Sequence, residues 1–421
     1  MIASLLAGGF RTAIAVVVVF VVMVMIHELG HFLVAKRAGV LVYRFAIGFG
    51  PKLFSFKKGE TEYSLRLFPI GGYVMLAGEI PQDTYFKLGE PIAIRVDEKQ
   101  QVTLIGEIED VRNASLIGKL HAIDTLRDFT VSIKTEDQIH AYAFSKDAFL
   151  ATGKDPIALA PPDRQMNQKS IPVRMAIAFA GPLMNFILAI VLFAIVMLSV
   201  GTLSSPPALA SIEAGTPAAV AGLQPGDVLV AVDHKPVQSW DSLVTIIQSH
   251  ANVPLVLTID RHQAMKTITL VPRKRADGTG FIGVTPKLDH SIGTALEDSV
   301  VQTAQYTSMI TNAFGMMLTH SSTFVKDGAG PVKIVQVIGQ QAAQGILQLI
   351  NLTAILSLNL AILNLVPIPP LDGSRILLLL IEWIRRRPID PKKEYIVNAV
   401  GFLLVITLMV VRAYLDVTQL L

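Results

Sequence analysis

The chain has no cysteine among its 421 residues. That excludes a disulfide-stapled scaffold, a thiolate-ligated metal site and a cysteine nucleophile. Charge is scarce as well. Asp, Glu, Lys and Arg make up 16% of the sequence, against about 25% in a soluble chain. Much of this chain is therefore not in water. Net charge is only +3 and apolar residues reach 52%, so disorder is excluded. A nucleic-acid footprint needs basic residues clustered on one face. The one tight cluster here flanks an apolar helix, so no nucleic-acid partner is expected. Length allows roughly two or three domains.

What is present is long apolar runs, in a chain of mean hydropathy +0.52. Four stretches reach the ~20 helical residues that span a hydrocarbon core: about 10–35, 172–200, 349–384 and 395–414. The first has a lone Arg11 and a valine run, as a signal peptide does, but no small-residue cleavage site follows it. Lys36 and Arg37 follow the first span. Arg385, Arg386, Arg387, Lys392 and Lys393 fill the link between the third and fourth. By the bias of basic residues in short loops, both links are expected on the cytoplasmic side. The segment 201–348 then lies outside. A fifth apolar stretch, Ser291–Phe324, is interrupted by Glu297, Asp298, Gln302, Gln305, Asn312 and His320. It reads as an amphipathic helix.

The expected architecture is an α-helical polytopic membrane protein of four spans. It divides as first span (1–38), membrane-associated β-hairpin region (39–80), cytoplasmic β-rich insert (81–170), second span (171–200), PDZ-like α+β domain outside (201–290), amphipathic helices (291–348), third span (349–385) and fourth span with the C-terminus (386–421). In the hairpin region Tyr63, Leu65 and Leu67 alternate with Glu62, Ser64 and Arg66, the period of a half-buried strand. Pro69-Ile70-Gly71-Gly72 reads as a turn, after which Tyr73–Ala77 pairs back. In the insert, 101–108 and 130–135 read as strands, with no chemical motif. The run Ala219–Asp227, with Gly222 and Gly226 at tight turns, resembles a bacterial PDZ domain, which takes an extended peptide as an added strand.

The chemistry-bearing pattern is His27-Glu28-Leu29-Gly30-His31, inside the first span. Positions i and i+4 share a helix face. Two imidazoles can thus meet one metal ion, with Glu28 beside it as general base for a water. At about 1.5 Å per residue, His27 lies about 13 Å inside the end marked by Lys36. Ionisable groups at that depth need partners. A proton relay in a transporter, or interfacial residues at a helix end, is the competing reading. A third ligand is expected from another span. Glu382 has Arg385 and Arg386 within one turn, which an ordinary ion pair explains. Asp372 has no such neighbour and follows the helix-breaking run 364–371, with Pro367, Pro369 and Pro370. Broken backbone at membrane depth lines a cavity or site. Asn359 and Asn364 would offer amides to a peptide there; interhelical hydrogen bonding is the other reading.

Together these residues resemble the site-2 protease family of intramembrane zinc metalloproteases, in its bacterial regulator-of-sigma-factor branch. The resemblance rests on H-E-L-G-H at 27–31, Phe49-Gly50-Pro51, Gly181-Pro182-Leu183-Met184-Asn185-Phe186, the PDZ run, Gly330-Pro331-Val332 and N-x-x-P-x-P-x-L-D-G at 364–373. One PDZ-like unit plus the insert resembles the Gram-positive members. The resemblance implies one zinc ion on His27, His31 and Asp372, and a water activated by Glu28. It assigns substrate handling to Asn359, Asn364 and Pro367. It makes the 61–77 hairpin, with Tyr63, Leu65 and Leu67, the element that receives substrate as a strand. It implies a plasma-membrane enzyme that cuts single-span proteins, anti-sigma factors pre-cut by a site-1 protease or signal-peptide remnants, within the bilayer. One departure is Ser374, where the family usually has a second Gly. A silent PDZ anchor for membrane partners is a further reading, which the intact Glu28 disfavours.

Overall fold

The computed structural model describes residues 2–79, 86–136, 138–151, 156–319, 330–389 and 391–420. Contacts divide the chain into two compact units, 1–189 with 306–421, and 190–305. Four helices are long and apolar enough to cross a membrane: Gly8–Arg37, Ile171–Val200, Ile346–Asn364 and Ile396–Thr418.

In the first unit, helix α1 (Ile2–Arg37) is apolar on all sides, as a span must be. One stripe, Ala15, Val19 and Met23, packs on Ile338 and on leucines of a later helix. The opposite face, with Phe10, Ile14, Val17 and Val18, is exposed and suits lipid. α1 stops at Gly39, in the left-handed region at φ +71°. The N–H of Val40 donates to Ala35 O and that of Gly39 to Lys36 O. This is a Schellman stop, with Ala35 and Val40 in one apolar cluster. The chain leaves it directly into a sheet.

That sheet consists of β1 (Val42–Lys58) and β2 (Thr61–Leu76). Each strand works as two pieces. Lys52–Lys58 pairs with Thr61–Arg66 across the turn at Gly59. Val42–Ile47 pairs with Gly72–Leu76 in descending register. Arg44–Ile47 also faces Glu62–Leu65 in ascending register. The order across the sheet is thus 72–76, 42–47, 61–65, 52–58. The turn expected at 69–72 lies within β2 instead, and 73–76 does not pair back on 61–67. The stretch Val42–Ile47 takes the place between them, because the stop of α1 delivers it there.

The insert contains β3 (Pro91–Val96), β4 (Val102–Gly106), β5 (Leu116–Asp124), β6 (Thr130–Lys134), β7 (Ile139–Ala151) and β8 (Ile157–Ala158). The order β4-β3-β5-β6-β7 closes on itself through a parallel β4–β7 pairing. Closure removes edges from that ring. Its core is Ile92, Ile94, Val102, Ile105, Leu120, Val131, Ile133, Phe144 and Leu150. Buried Gln165 ties the end of the insert to its barrel, its Nε2 donating to Thr125 O at 2.7 Å and Ala160 O at 2.8 Å, and the flanking backbone joins the hairpin region, Met166 N–H donating to Ala77 O and Leu41 N–H to Arg164 O.

Helix α2 (Ile171–Val200) carries Pro182 in its interior. In the second unit, helices α3 (Pro217–Val220) and α4 (Trp240–Ser249) flank a sheet of order 235–236, 228–232, 255–261, 264–270. Ser239 caps α4 by accepting from Ser242 N–H. Leu229, Val232, Leu243, Leu255, Leu257 and Ile259 form its core. Asp227, at the start of the central strand, is buried and takes both ends of the Arg261 fork, each at 2.7 Å.

Helix α5 (Ile292–Thr319) covers the described part of the fifth apolar stretch; its expected end, 320–324, lies outside the described residues. α6 (Pro331–Gln344) and α7 (Ile346–Asn364) follow. The expected third span is broken: α7 ends at Asn364, and α8 begins at Asp372 and runs to Arg385. The proline run between them cannot continue a helix. Glu382 on α8 pairs with Arg174 of α2 at 2.8 Å, not with the arginines of its own helix. α9 (Pro391–Leu420) closes the chain. Its Asp416 accepts from the N–H groups of Gly330 and Lys333 at 3.2 and 3.1 Å, so it supplies the α6 cap from another helix.

Burial pushes the Asp227 carboxyl up, but the Arg261 hydrogen bonds and the Gln224 N–H outweigh it and hold it below its ordinary value. A depressed carboxylate contributes stability above its unfolded pKa and loses it as pH falls through its folded one. In full-length protein carrying Trp383→Phe, Trp240 reports on this unit. Asp227→Asn is expected to lower the unfolding midpoint at pH 7 and to leave it less dependent on pH below 4. Fluorescence melts across pH check both.

Candidate active site

The HExxH segment sits on the buried flank of α1. His27 is buried, and Glu28 and His31 are half-buried. What buries them is α2, which touches α1 backbone to backbone. A Cβ added at Gly30 would lie 2.2 Å from Ala180 O. One added at Gly181 would lie 2.3 Å from His31 Nε2 and 2.8 Å from His27 Cε1. Only glycine lets α2 lie flat on the two imidazoles. Pro182 removes the donor that would hold the Ala178 carbonyl and opens that turn. One residue earlier, Ile177 O accepts from His31 Nδ1 at 2.7 Å.

His27 Nδ1 faces the amide of buried Asn185, one turn further along α2, at 3.3 Å from Nδ2. Asn185 Oδ1 is buried and has no hydrogen-bond partner. A half-turn of the amide, which exchanges two near-identical groups, lets Oδ1 accept from His27 Nδ1–H. The orphan is then satisfied. Both imidazoles are thereby committed at Nδ1, and both Nε2 lone pairs are bare.

Those lone pairs converge on the third residue. His27 Nε2 and His31 Nε2 are 3.2 Å apart. Asp372 Oδ2, at the first turn of α8, is 3.1 Å from the first and 3.4 Å from the second. Oδ2 is buried without a donor in hydrogen-bonding geometry. Three ligand atoms at about 2.0–2.1 Å from a tetrahedral zinc ion would lie about 3.3 Å from one another. The donor set fits such an ion. This is the metal-capable group of three found among the described residues.

Glycine also positions Asp372. A Cβ at Gly373 would lie 2.3 Å from Leu365 O, so the broken segment can fold back over the start of α8. At 374 a side chain is accommodated: buried Ser374 donates to Leu371 O at 2.8 Å.

The other expected residues are placed differently. Asn359 and Asn364 are half-buried on α7 and Pro367 is exposed in the broken segment; none belongs to the three-ligand cluster. Tyr63 and Leu65 belong to an inner strand, with Phe45 and Ile47 on one side and Phe56 and Phe54 on the other. Tyr63 stacks on Phe56 at 5.1 Å. Their backbone is engaged on both sides, so they form no edge for an added strand. Leu67, exposed further along β2, has no partner in the register of the sheet. The edge near the site is Gly72–Leu76. Its inner side pairs with Val42–Ile47, and no strand among the described residues pairs with its outer side. A Cβ at Gly72 would lie 3.0 Å from Glu28 Cγ and 2.8 Å from Ala46 O. The free edge, 72–76, falls inside the 61–77 element named from sequence but not on Tyr63, Leu65 and Leu67; Asn185 is the site element that the sequence reading missed. Asn185 lay within a segment it had marked as a family motif.

The profile of peptidase family M50 matches residues 15–408. The chain belongs to that family. Among its relatives, the zinc metalloprotease RasP of Geobacillus kaustophilus is 36% identical, covering 97% of this chain and 98% of the relative. The regulator of sigma-W protease RasP of Bacillus subtilis is 34% identical over 97% and 99%. The probable protease eep of Enterococcus faecalis is 32% identical over 97% and 99%. A solved PDZ domain of an SdrC-like protein from Listeria monocytogenes covers 20% of this chain and 90% of its own, at 18% identity and TM-score 0.19. This M50 peptidase is a multi-pass membrane zinc metalloendopeptidase of the site-2 type, acting in regulated intramembrane proteolysis.

Partners that orient a metal-binding imidazole typically contribute 10–100-fold to metal affinity. Asn185→Ala is expected to weaken zinc binding by about that factor, while Asn185→Asp, which keeps an acceptor toward His27 Nδ1, retains most of it. Competition with a chromophoric chelator measures both.

Proposed function

We propose that His27, His31 and Asp372 hold the zinc ion and that Glu28 takes and returns the proton during hydrolysis of a peptide bond within a membrane span. The convergence of three bare ligand atoms, 3.1–3.4 Å apart, from helices at opposite ends of the chain carries this reading. Zinc, when bound, supplies Lewis acidity toward a carbonyl and a nearby water. The chain does the rest. Ile177 O and Asn185 hold the imidazoles in the ligating tautomer. Glu28, on the helix face beside Gly72, is placed between the metal ligands and the free strand edge.

A helical substrate hides its peptide bonds in its own hydrogen bonds, so it must open before attack. The edge Gly72–Leu76 offers replacement partners, in the manner of strand addition. At its start Gly72 lets the edge lie close against Val24 and Glu28 of α1, where a Cβ would have no room. Asn359 and Asn364, at the end of α7, are the amides we assign to the opened segment, and Pro367 keeps the chain after them from closing into a helix.

Substrates are single-span membrane proteins. The name of the Bacillus subtilis relative, regulator of sigma-W protease, favours anti-sigma factors, shortened beforehand by a first protease. Lys36, Arg37 and the Arg385–Arg387 run favour a site toward the cytoplasmic side and a 201–290 unit outside. That unit, read as a PDZ domain, would then act as a size filter on ectodomains.

Purified protein incubated with a single-span substrate tests the catalytic reading. Glu28→Gln is expected to abolish cleavage while zinc content stays near one per chain, and chelation is expected to stop the wild type. Cleavage that survives both refutes it; zinc-independent ion flux in vesicles would favour the relay. The size filter predicts that deletion of residues 206–286 lets a substrate with its full ectodomain be cut. If that substrate stays intact while a shortened one is cut, the filter is wrong.

A further inference from the structure

The edge beside Glu28 is anchored at its far end by a group that the catalytic scheme does not use. β2 ends at Leu76, and Gly78 turns the chain at φ +84°. Glu79 then comes back toward the strand it has just left. Its Oε2 accepts from Leu76 N–H at 3.3 Å and its Oε1 accepts from Arg375 Nη1 at 2.7 Å. Arg375 stands one turn along α8 from Asp372. One carboxylate therefore joins the end of the free strand edge to the helix that carries the third metal ligand.

We propose that the Glu79–Arg375 pair is a register clamp: it fixes which peptide bond of a strand-bound substrate lies opposite Glu28 and the metal ligands. The proposal rests on the reading of Gly72–Leu76 as the receiving edge. The edge is already referred to α1, because β1 follows the α1 stop directly and pairs with it along Val42–Ile47. His27, Glu28 and His31 are thus fixed relative to the edge. Asp372 arrives from a distant part of the chain, after a broken segment. Register against the complete ligand set requires a tie between α8 and the edge, and the Glu79 carboxylate makes one.

The choice of an ion pair is informative. Its side chains are 22% and 37% exposed, and partly exposed pairs contribute little to stability. A charge-assisted hydrogen bond is directional, however. It sets position more than it adds stability. A strand can slip in steps of about 3.3 Å per residue, and a slip of one residue also reverses the faces its side chains present. A loosened edge should therefore present neighbouring bonds to the same chemistry.

The test uses the full-length protein in vesicles, a single-span substrate, and mass spectrometry of the products. Glu79→Gln and Arg375→Gln are expected to keep the wild-type zinc content and melting midpoint, to cut about tenfold more slowly, as for a reacting group misplaced by a fraction of a residue, and to spread the products over two or three adjacent bonds. Arg375→Lys, which retains a donor to Glu79, is expected to restore the main product. A single wild-type product from both Gln variants overturns the clamp, as does loss of zinc from both, which would make the pair a support of Asp372. A substrate N-methylated around the scissile bond separates the two readings. Its cleavage at the normal rate overturns the strand-edge reading together with the clamp. Its slow cleavage, with one product from both Gln variants, overturns the clamp alone.

Discussion

Three lone pairs cannot be held within 3.4 Å of one another in an apolar interior without a cation to share. The membrane part of this protein is organised around that constraint. α1 brings two imidazoles, α8 brings a carboxylate, and α2 is pressed against them closely enough that Gly30 and Gly181 have no room for a side chain. The Nδ1 partners Ile177 O and Asn185 leave the imidazole Nε2 atoms bare. The ligand set is a convergence of three elements rather than a property of one motif.

The same environment dictates the backbone around it. Lipid supplies no hydrogen bonds, so irregular chain is tolerated at depth only where protein or a lined cavity surrounds it. Two departures from helix occur near the ligands. One is the segment 365–371, packed over Gly373. The other is the four-ply sheet of β1 and β2, whose inner strands are paired on both sides and whose outer side at 72–76 is paired with no strand among the described residues.

How much of this could be read from the residues follows from what periodicity encodes. His27 and His31 were legible because the i, i+4 rule is local. Asp372 was legible because it stood without a partner after three prolines in an apolar run. Helix 240–249 and the strands 228–232 and 130–134 were legible for the same local reasons. Alternation at Tyr63, Leu65 and Leu67 indicated a strand and its faces. It said nothing about neighbours, and the strand proved to be an inner one because Val42–Ile47 reaches it from far upstream. Glu382 had two arginines within a turn, yet its partner is Arg174 on another helix. Asn185 sat in a marked motif, but its use becomes visible only when α2 lies against His27.

The third ligand lies several hundred residues after the first two. During synthesis the amino-terminal span enters the bilayer with its imidazoles and base in place, but with nothing to complete a grip on an ion. Metal sites seldom exist before the fold that builds them, and the proposed one is complete only once α8 has joined α1. On the proposed ligand set, a chain that stops before Asp372 lacks one of the three groups the site is built from.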